Sequence, residues 1–330
     1  MKKEIIISKN DSGQRIDKFF QKAFPMLPKS LIYKLIRKKD IKVNKKRCDG
    51  ATYLEEGDII TIFINDLLLS ENQDSFKNKN FLFLKAPSEL NIIYEDSNLI
   101  LIFKPVGLTV HCDDNHTEDT LINRVKHYLY EKGDYNPDNE QSFSPALCNR
   151  LDRNTSGIVI AAKNASALRE INRLIRENKI KKNYLCITTT LPPKKSDIIH
   201  AYHKKSDKDN KVIISDCKAD GFQEIVTGYK VLAQNTDKLA LVKISLITGR
   251  THQIRAHMAY IKSPLLGDNK YGNYKINQKY HCKSQQLCAY KIKFETGHDS
   301  VLSYLNQKCF YSDIPDFVSK YFPDLKLKQE

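Results

Sequence analysis

The sequence predicts a mixed α+β fold, in which a small N-terminal domain precedes a larger domain built on a mainly antiparallel sheet with flanking helices. With 330 residues, of which 41% are hydrophobic, the chain is long enough for two unequal cores. Strand-like apolar runs alternate irregularly with helical segments, which argues against a βαβ repeat. A polar stretch, residues 66–88, is the expected linker between domains at 1–65 and 89–330.

The first 65 residues are predicted to form two helices followed by strands. The predicted helical face within GQRIDKFFQKAF, residues 13–24, consists of Ile16, Phe19, Phe20 and Phe24. A second helix is expected to start at Ser30, a residue type that is suited to an N-cap. Its apolar residues form one stripe, and strands are predicted at 41–44 and 57–64. We therefore expect a small domain with its own core.

Positive charge is concentrated between residues 29 and 47 of this domain. A solvated surface usually mixes both signs, whereas only Asp40 opposes the basic side chains here. One-sided charge on a helix and the following hairpin is typical of a surface that contacts phosphates. The predicted RNA-binding residues are Lys29, Lys34, Arg37, Lys38, Lys39, Lys42, Lys45, Lys46 and Arg47.

The larger domain is predicted to alternate strands and helices without a regular repeat. Turn-forming residues separate two strands within 91–105, and amphipathic spacing predicts helices at 118–133 and 166–180. The continuous apolar run GIVIAAK, residues 157–163, indicates a buried strand. Further strands are predicted at 182–190, 238–248 and 286–295.

The net charge of +15 indicates a polyanionic partner, either nucleic acid or an anionic membrane surface. A lysine-rich composition inherited from the source genome is the plain alternative. No apolar run reaches the roughly 18 to 20 residues that span a bilayer, and the N-terminus lacks a secretory signal pattern. We therefore favour nucleic acid as the partner, and we expect a cytoplasmic location, no membrane association and no obligate protein partner, with the chain acting as a monomer.

The sequence indicates neither a metal site nor a nucleotide cofactor. Eight cysteines are spread along the chain without the close pairs that structural zinc sites use. Free thiols in a reducing compartment are therefore expected. Neither GxGxxG nor GxxxxGK[ST] occurs, so nucleotide binding lacks its usual signature.

One acid lies between two arginines at the entrance of the predicted buried strand, in NRLDRNTSG, residues 149–157. Arg150 and Arg153 flank Asp152, and a turn follows before the strand begins. An acid in that position can lie in a cleft, partly desolvated and kept ionised by a neighbouring arginine. An Asx turn or a weak surface ion pair would explain the same residues.

Two further clusters could carry chemistry. TGRTHQIRAHMAYI, residues 248–261, predicts a helix capped by Thr251 with Arg250, His252 and Arg255 in its first turn. The helix dipole is positive there, so the site suits either a phosphate or a buried carboxylate, although an ordinary basic first turn remains an alternative. Tyr184 in KKNYLC is expected to open a strand, either as a core residue or as a platform for a base.

Taken in order, NRLDRNTSGIVIAAKN, KKNYLC and TGRTHQIRAHMAYIKSPLLGDNKYG resemble the motifs of the RluA family of RNA pseudouridine synthases. The resemblance includes NIIYEDSNLILIFKPVGLTVH and QLCAYKIKF, and it covers nearly the whole chain. RIDKFF, SLIYKLIRKKDIKVNKK and LEEGDIITI resemble an S4 RNA-binding domain. The resemblance implies the pseudouridine synthase fold and conversion of uridine in RNA to pseudouridine without metal or cofactor. The S4-like domain favours ribosomal RNA as the substrate, with transfer RNA as the alternative.

Carried over position by position, the resemblance implies a role for several residues. Asp152 would be the catalytic aspartate, and Arg255 the arginine that keeps it ionised and aimed. Tyr184 would stack on the flipped uracil, with Ile254 on the other face of the ring. Arg150 would enter the RNA helix and help to turn the uridine out.

The sequence departs from the family pattern at Asn149, where many members have His. That difference puts the local hydrogen bonding and the choice of substrate in question. The aspartate could attack C1′ or remove the C2′ proton, and both routes stay open. A non-catalytic RNA-binding protein would need no acid–arginine pair, and a glycosidase acting on nucleosides would need a second acid.

Overall fold

The computed structural model describes residues 2–64, 81–112, 117–206 and 211–327. A four-stranded sheet belongs to the N-terminal module, which we define as residues 2–64, and an eleven-stranded sheet organises the rest. Strands β8 and β14 of the large sheet run parallel, and its other pairs are antiparallel. The predicted α+β class with a mixed, mainly antiparallel sheet is confirmed. No helix in the described part of the chain is long and apolar enough to cross a membrane.

The N-terminal module encloses its own core between two helices and its small sheet. Phe19, Phe20, Ile32 and Ile60 are fully buried there. The sheet order is β1-β4-β2-β3. Its elements are β1 (Lys2–Ile6), α1 (Ile16–Ala23), α2 (Lys29–Lys38), β2 (Ile41–Val43), β3 (Lys46–Arg47) and β4 (Ile59–Phe63).

Two details of this module differ from the sequence prediction. Helix α2 begins at Lys29, with Pro28 as its N-cap, so the expected cap Ser30 lies inside the first turn. The φ of −56° that the proline ring imposes is already close to a helical value, which favours a start directly after it. Strand β1 was not predicted, because its short KKEII segment is ordered only by pairing along the whole of β4.

The larger domain consists of the large sheet and the helices that cover it. Its sheet order is β11-β10-β12-β13-β9-β14-β8-β6-β5, with β15 on β14 and β7 on β8. In chain order the elements are β5 (Ile92–Glu95), β6 (Leu99–Lys104), α3 (Leu121–Glu131), β7 (Ala146–Leu147), β8 (Ser156–Ala162), α4 (Ala165–Arg176), β9 (Ile180–Thr188), β10 (Ser196–Lys205), β11 (Val212–Ser215), β12 (Gln223–Gln234), β13 (Ala240–Leu246), α5 (Gln253–Tyr260), α6 (Tyr274–Lys279), β14 (Leu287–Phe294), β15 (Cys309–Tyr311) and α7 (Asp316–Tyr321).

The central strand β8 is buried on both faces, which explains its unbroken apolar sequence. Val159 faces one core together with Val125 of α3. Ile158 and Ile160 face a second core together with Ile171 of α4. A strand covered on both sides has no polar face to alternate with, so a continuous apolar run is the expected pattern. This double cover holds the start of β8 in place.

Strands β10, β11 and β12 extend one side of the sheet and were not predicted. Burial along these strands is irregular: Ile225 is fully buried, whereas Ile198 is 58% exposed and Ile213 is 53% exposed. Such strands lack the regular alternation that identifies a strand in the sequence. Its pairing with β13 is what places it in the sheet.

The structure describes only the last part of the proposed linker at 66–88, from residue 81. Residues 66–80 lie outside the described residues. Leu82–Lys85 form a short 3₁₀ helix, and Phe83 is buried in the same core as Leu121, Val125 and Leu129 of α3. The FLFLK segment therefore packs as part of the larger domain, because its aromatic side chain finds an apolar partner there.

Polar contacts join the N-terminal module to the larger domain. Asp11 is fully buried, and its carboxylate accepts hydrogen bonds from the backbone N–H and hydroxyl of Ser142, at 3.0 and 2.6 Å. The Asn10 side chain accepts from the N–H of Ala165, the first residue of α4, at 3.2 Å. Arg169 donates to the Ser12 carbonyl oxygen at 3.1 Å. The module is thereby docked at the end of β8 that lies away from Asp152.

Candidate active site

Asp152 lies in a tight turn that leads directly into β8. The Thr155 N–H donates to the Asp152 carbonyl oxygen at 3.0 Å, and the buried Thr155 hydroxyl accepts a hydrogen bond from Gln285. Gly157 has φ +122°, and a Cβ there would lie 2.4 Å from the backbone N and O atoms of Ala289 in β14. Only glycine allows β8 and β14 to approach so closely. The turn and this pairing together determine where the acid stands.

A buried guanidinium connects Asp152 to a second carboxylate. Arg255 Nη1 donates to Asp152 Oδ2 at 2.9 Å, while its Nε and Nη2 donate to the two oxygens of Asp268 at 2.7 and 2.9 Å. The Arg255 side chain is 7% exposed and that of Asp268 is fully buried, whereas that of Asp152 is 25% exposed. The bidentate pair with Asp268 therefore directs the remaining nitrogen of Arg255 at the partly exposed carboxylate of Asp152.

The charges in this network stabilise one another. Burial disfavours a charged guanidinium, but hydrogen bonds and attraction from Asp268 and Asp152 outweigh it and raise the pKa of Arg255. Burial likewise opposes ionisation of Asp268, yet Arg255 and the N–H groups of Lys270 and Tyr271 lower its pKa. Both groups are therefore charged at neutral pH. Asp152 Oδ1 accepts no hydrogen bond from a described residue, so it is free to meet a substrate.

Helix α5 begins at Gln253, so its N-cap lies one residue after the predicted cap Thr251. His252 is the N-cap in a left-handed conformation at φ +53°, and Thr251 is exposed outside the helix. The Gln253 side chain accepts from the N–H of Arg250 at 3.0 Å, which closes the turn before the helix. Of the basic residues predicted in the first turn, only Arg255 is helical. It contacts carboxylates, so the buried-carboxylate alternative is the one seen.

His252 and Tyr271 connect the acid to strand β11. His252 Nε2 is 3.9 Å from Asp152 Oδ2, and its Nδ1 is 3.1 Å from the Tyr271 hydroxyl. That hydroxyl accepts from the Val212 N–H at 2.9 Å, and the Tyr271 ring lies beside Arg255. Burial lowers the pKa of His252, with Asp152 opposing, so the imidazole is neutral near pH 7.

Tyr184 and Ile254 line the same cleft as Asp152, which has a volume of about 670 Å³. Each side chain is 5% exposed. Burial raises the pKa of Tyr184, and the negative charge of Asp152 acts in the same direction, so the phenol stays protonated. Its hydroxyl makes no hydrogen bond to any described residue. Tyr184 and Ile254 therefore offer a flat ring and an apolar side chain to a bound group.

The rim of the cleft is cationic. Arg150 is exposed there. Lys182, Lys204, Lys205 and Arg250 line the same cleft. Lys204 and Lys205 come from β10, a strand that the sequence reasoning missed, and isolated lysines give no signal by which to find them. Together these side chains form a positive border around a partly apolar floor.

Lys104 is a further part of the site that the sequence did not single out. The side chain is fully buried at the end of β6 and donates to the carbonyl oxygens of Pro105, Leu108 and Arg153, at 2.8, 2.9 and 3.1 Å. Burial lowers the pKa of Lys104 to about 8, while Asp152 acts to raise it. The ammonium group joins the loop after β6 to the residue that follows Asp152.

Asn149 has a structural explanation. Its side-chain oxygen accepts from the Ile160 N–H at 2.8 Å, and its amide donates to the Ile158 carbonyl oxygen at 3.3 Å. The side chain thus pairs with the backbone of β8 and fastens the segment before Asp152 to that strand. Neither of these two hydrogen bonds involves Asp152.

The nine predicted RNA-binding residues lie on α2, on the turn after it and on the β2–β3 hairpin. Eight are exposed, and Lys42 is half-buried with its ammonium over the ring of Phe63. None forms an ion pair with a described carboxylate. These residues lie outside the cleft. Within the described chain no three metal-ligating side chains come together.

The chain is similar to known RNA-modifying enzymes over most of its length. Residues 98–260 match the family described as RNA pseudouridylate synthase. An uncharacterized RNA pseudouridine synthase of Mycoplasma capricolum is 32% identical over 322 residues, covering 96% of this chain and 99% of its own. The ribosomal large subunit pseudouridine synthase C of Buchnera aphidicola is 34% identical over 297 residues, covering 87% and 88%.

A solved structure shares the fold. Human RNA pseudouridylate synthase domain containing 4 superposes with a TM-score of 0.54 at 22% identity, covering 73% of this chain and 94% of its own. Fold and relatives thus define an enzyme that isomerises uridine in RNA. The chain belongs to the RNA pseudouridine synthase family, and within it to the RluA type.

Proposed function

We propose that this enzyme converts uridines of large-subunit ribosomal RNA to pseudouridine, with Asp152 as its catalytic aspartate. The observation that carries the proposal is the 2.9 Å contact from Arg255 to one oxygen of Asp152 on the floor of a cationic cleft. Relatives named for the ribosomal large subunit support the choice of RNA. A ribosomal substrate would be met where ribosomes assemble, and we propose the cytoplasm as the compartment and a monomer as the active form.

The reaction breaks the N1–C1′ bond, turns the uracil and joins C5 to C1′. C5 loses its proton and N1 gains one, so the change is a balanced isomerisation. Arg255 holds Oδ2 of Asp152 at 2.9 Å, and Oδ1 of Asp152 is the oxygen free to approach the sugar. That oxygen can attack C1′ or take the C2′ proton.

The remaining cleft residues would hold the nucleotide outside its helix. Removing a base from its stack costs roughly a few kcal/mol. Tyr184 stacking on the uracil and Ile254 on its other face would offset that cost, since both side chains line the cleft. Arg150 would occupy the space left in the RNA, because it is exposed at the rim.

We also propose that residues 1–65 form an S4-like RNA-binding domain. The exposed cations on α2 and the β2–β3 hairpin support this assignment, because they form a one-signed surface that would contact phosphates. The proposed catalytic domain, residues 89–330, would then act on RNA that the first domain also holds. The proposed linker is 66–88, of which Phe81 and Phe83 pack against the larger domain.

Replacing Asp152 by Asn tests the central assignment. We expect RNA affinity and melting temperature to change little, because Asn has the same shape, while the rate of pseudouridine formation falls at least about 100-fold. The control is Asp237→Asn, an exposed acid outside the cleft. Each protein is incubated separately with unmodified ribosomal RNA and with unmodified transfer RNA, and pseudouridine is then mapped site by site.

Each outcome of this experiment has a clear meaning. Product at the normal rate from Asp152→Asn would show that another group does the chemistry. Product from transfer RNA alone would overturn the ribosomal substrate but leave the role of Asp152 intact.

A further inference from the structure

A second cavity, of about 610 Å³, opens on the N-terminal module and has no role in the chemistry proposed above. Tyr33 of α2 forms one wall, and Gly50 lies against it. Arg37, Lys39 and Arg47 line the same cavity. It therefore combines a flat aromatic ring with several positive charges.

The Tyr33 ring is held in one orientation although it is exposed. Its hydroxyl donates to Asp17 Oδ2 at 2.6 Å, and Arg15 holds both oxygens of that carboxylate at 3.1 and 2.7 Å. Asp17 is 2% exposed, so the anchor is rigid. A Cβ on Gly50 would lie 2.8 Å from Cε1 of Tyr33, so the ring touches the Gly50 backbone.

An exposed tyrosine usually exchanges between rotamers, and ordering it costs entropy when a partner binds. Tyr33 is 37% exposed and avoids that cost, because its hydroxyl and one edge are already fixed. A preorganised aromatic surface of this kind is suited to stacking on a nucleic-acid base.

The charges around the ring suit an anion. Arg37, Lys39 and Arg47 are exposed, and none forms an ion pair with a described carboxylate. The ammonium of Lys29 lies 6.0 Å from the centre of the Tyr33 ring. The carboxylate of Asp49 also lines the cavity, but it accepts from the Ala51 N–H and the Thr52 hydroxyl and so stabilises its own turn.

We propose that this cavity binds an unpaired nucleotide of the RNA, with its base stacked on Tyr33 and its phosphates on Arg37 and Arg47. The proposal deepens the proposed function, since it rests on the N-terminal module binding RNA. Single-stranded RNA is recognised through bases that stack on aromatic side chains, with cations on the backbone. Duplex RNA keeps its bases stacked internally, so the Tyr33 ring would add nothing to its binding.

The test compares the affinity of full-length variants for a ten-nucleotide single-stranded RNA and for a duplex of the same length, by fluorescence anisotropy. Tyr33→Leu should weaken single-strand binding by about fivefold or more, the loss expected for one stacked base, and leave duplex binding unchanged. Tyr33→Phe keeps the ring but loses its hydroxyl bond to Asp17, so its single-strand affinity should lie between those of wild type and Tyr33→Leu. Tyr53→Leu, an exposed tyrosine of the same module outside the cavity, is the matched control.

Arg47→Gln provides an independent measurement, because Arg47 is exposed and its replacement should not disturb folding. It should lower the salt dependence of single-strand binding by about one phosphate contact.

Equal losses of affinity of Tyr33→Leu for single strand and duplex, or no loss at all, would overturn the nucleotide pocket. If wild type makes pseudouridine while Tyr33→Leu binds normally, only this pocket is wrong. If wild type modifies no RNA, the proposed function itself fails.

Discussion

Asp268 controls the geometry of the site through Arg255, although it does not line the cleft itself. It holds two of the guanidinium nitrogens and is in turn held by the N–H groups of Lys270 and Tyr271. Asp268 therefore fixes the orientation of the Arg255 guanidinium that donates to Asp152. We therefore predict that Asp268 acts on the reaction through Arg255, as a positioning residue.

Asp268→Asn should lower kcat at least about tenfold and leave the Kd for RNA unchanged. The amide keeps the shape but removes the charge, so Arg255 loses its bidentate partner, and breaking a buried pair costs about 3–5 kcal/mol of folding stability. Single-turnover rates, RNA affinity and melting temperature separate these effects, with Asp237→Asn as the control. A normal kcat would show that Asp152 alone positions Arg255.

Lys104 supplies a pH-dependent contribution to stability. Its pKa in the folded protein is about 8, below the ordinary 10.5, so the unfolded chain binds more protons between these values. The unfolding free energy should therefore rise with pH across this window, by up to about 3 kcal/mol for this group.

Lys104→Met tests that contribution. The difference in unfolding free energy between wild type and variant, measured by urea denaturation from pH 7 to 10.5, should increase in favour of wild type as pH rises. The variant should also lose activity, since the carbonyl oxygens of Pro105, Leu108 and Arg153 lose their shared donor. A difference that is independent of pH would show that Lys104 titrates normally.

Among the secondary-structure elements, β8 matters most to the site because Asp152 stands at its entrance. Its parallel pairing with β14 depends on Gly157, which approaches the Ala289 backbone too closely for any side chain. Asn149 fastens the preceding segment to the same strand. The position of the acid is thus a property of strand pairing.

Gly157→Ala should lower stability by more than about 2 kcal/mol, since left-handed strain and a backbone collision act together. Gly133→Ala is the matched control: Gly133 has φ +81° but no atom within 4 Å of an added Cβ, so strain acts alone and should cost about 1 kcal/mol. Thermal unfolding measures both. We also expect kcat to fall for Gly157→Ala and not for Gly133→Ala. Equal losses of stability in the two variants would show that the backbone collision does not contribute.

For the molecule as a whole, the docking of the N-terminal module sets the distance between its basic surface and the acid. Asp152 precedes the seven residues of β8, and Ala165, where Asn10 makes its contact, follows them. At about 3.3 Å per residue, β8 separates the two points by roughly 20 Å. The contact through Asn10 therefore fastens the N-terminal module about that far from Asp152.

Asp11→Ala should loosen this docking. The change leaves the Ser142 N–H and hydroxyl without their buried acceptor, at a cost of about 1–3 kcal/mol. Relative to wild type, Asp11→Ala should have a larger radius of gyration in solution scattering. Its rate of pseudouridine formation should fall more on whole large-subunit RNA than on a short stem–loop. Asp58→Ala, in the same module but without contacts across the junction, is the control. Unchanged scattering and rates would show that Asp11 does not hold the two parts together.

Local patterns were sufficient for several elements. The helical stripe of α1, the apolar run of β8 and the basic stretch from 29 to 47 all depend on residues close in sequence. The order of the motifs around Asp152, Tyr184 and Arg255 identified the family for a similar reason, because each motif is contiguous. The roles assigned to these residues stay predictions.

Contacts between distant segments decided the rest. Asp152 and Arg255 are 103 positions apart, and the aiming of one by the other depends on Asp268. The carbonyl oxygens around Lys104, the strands β10 to β12 and the docking through Asp11 likewise join segments that no local pattern connects. Periodicity reports which face of an element is buried, but it does not report what covers that face. The sequence therefore predicted the acid and its arginine. Only the folded chain showed which contacts orient and hold them, because buried charges are stabilised by partners that folding brings together.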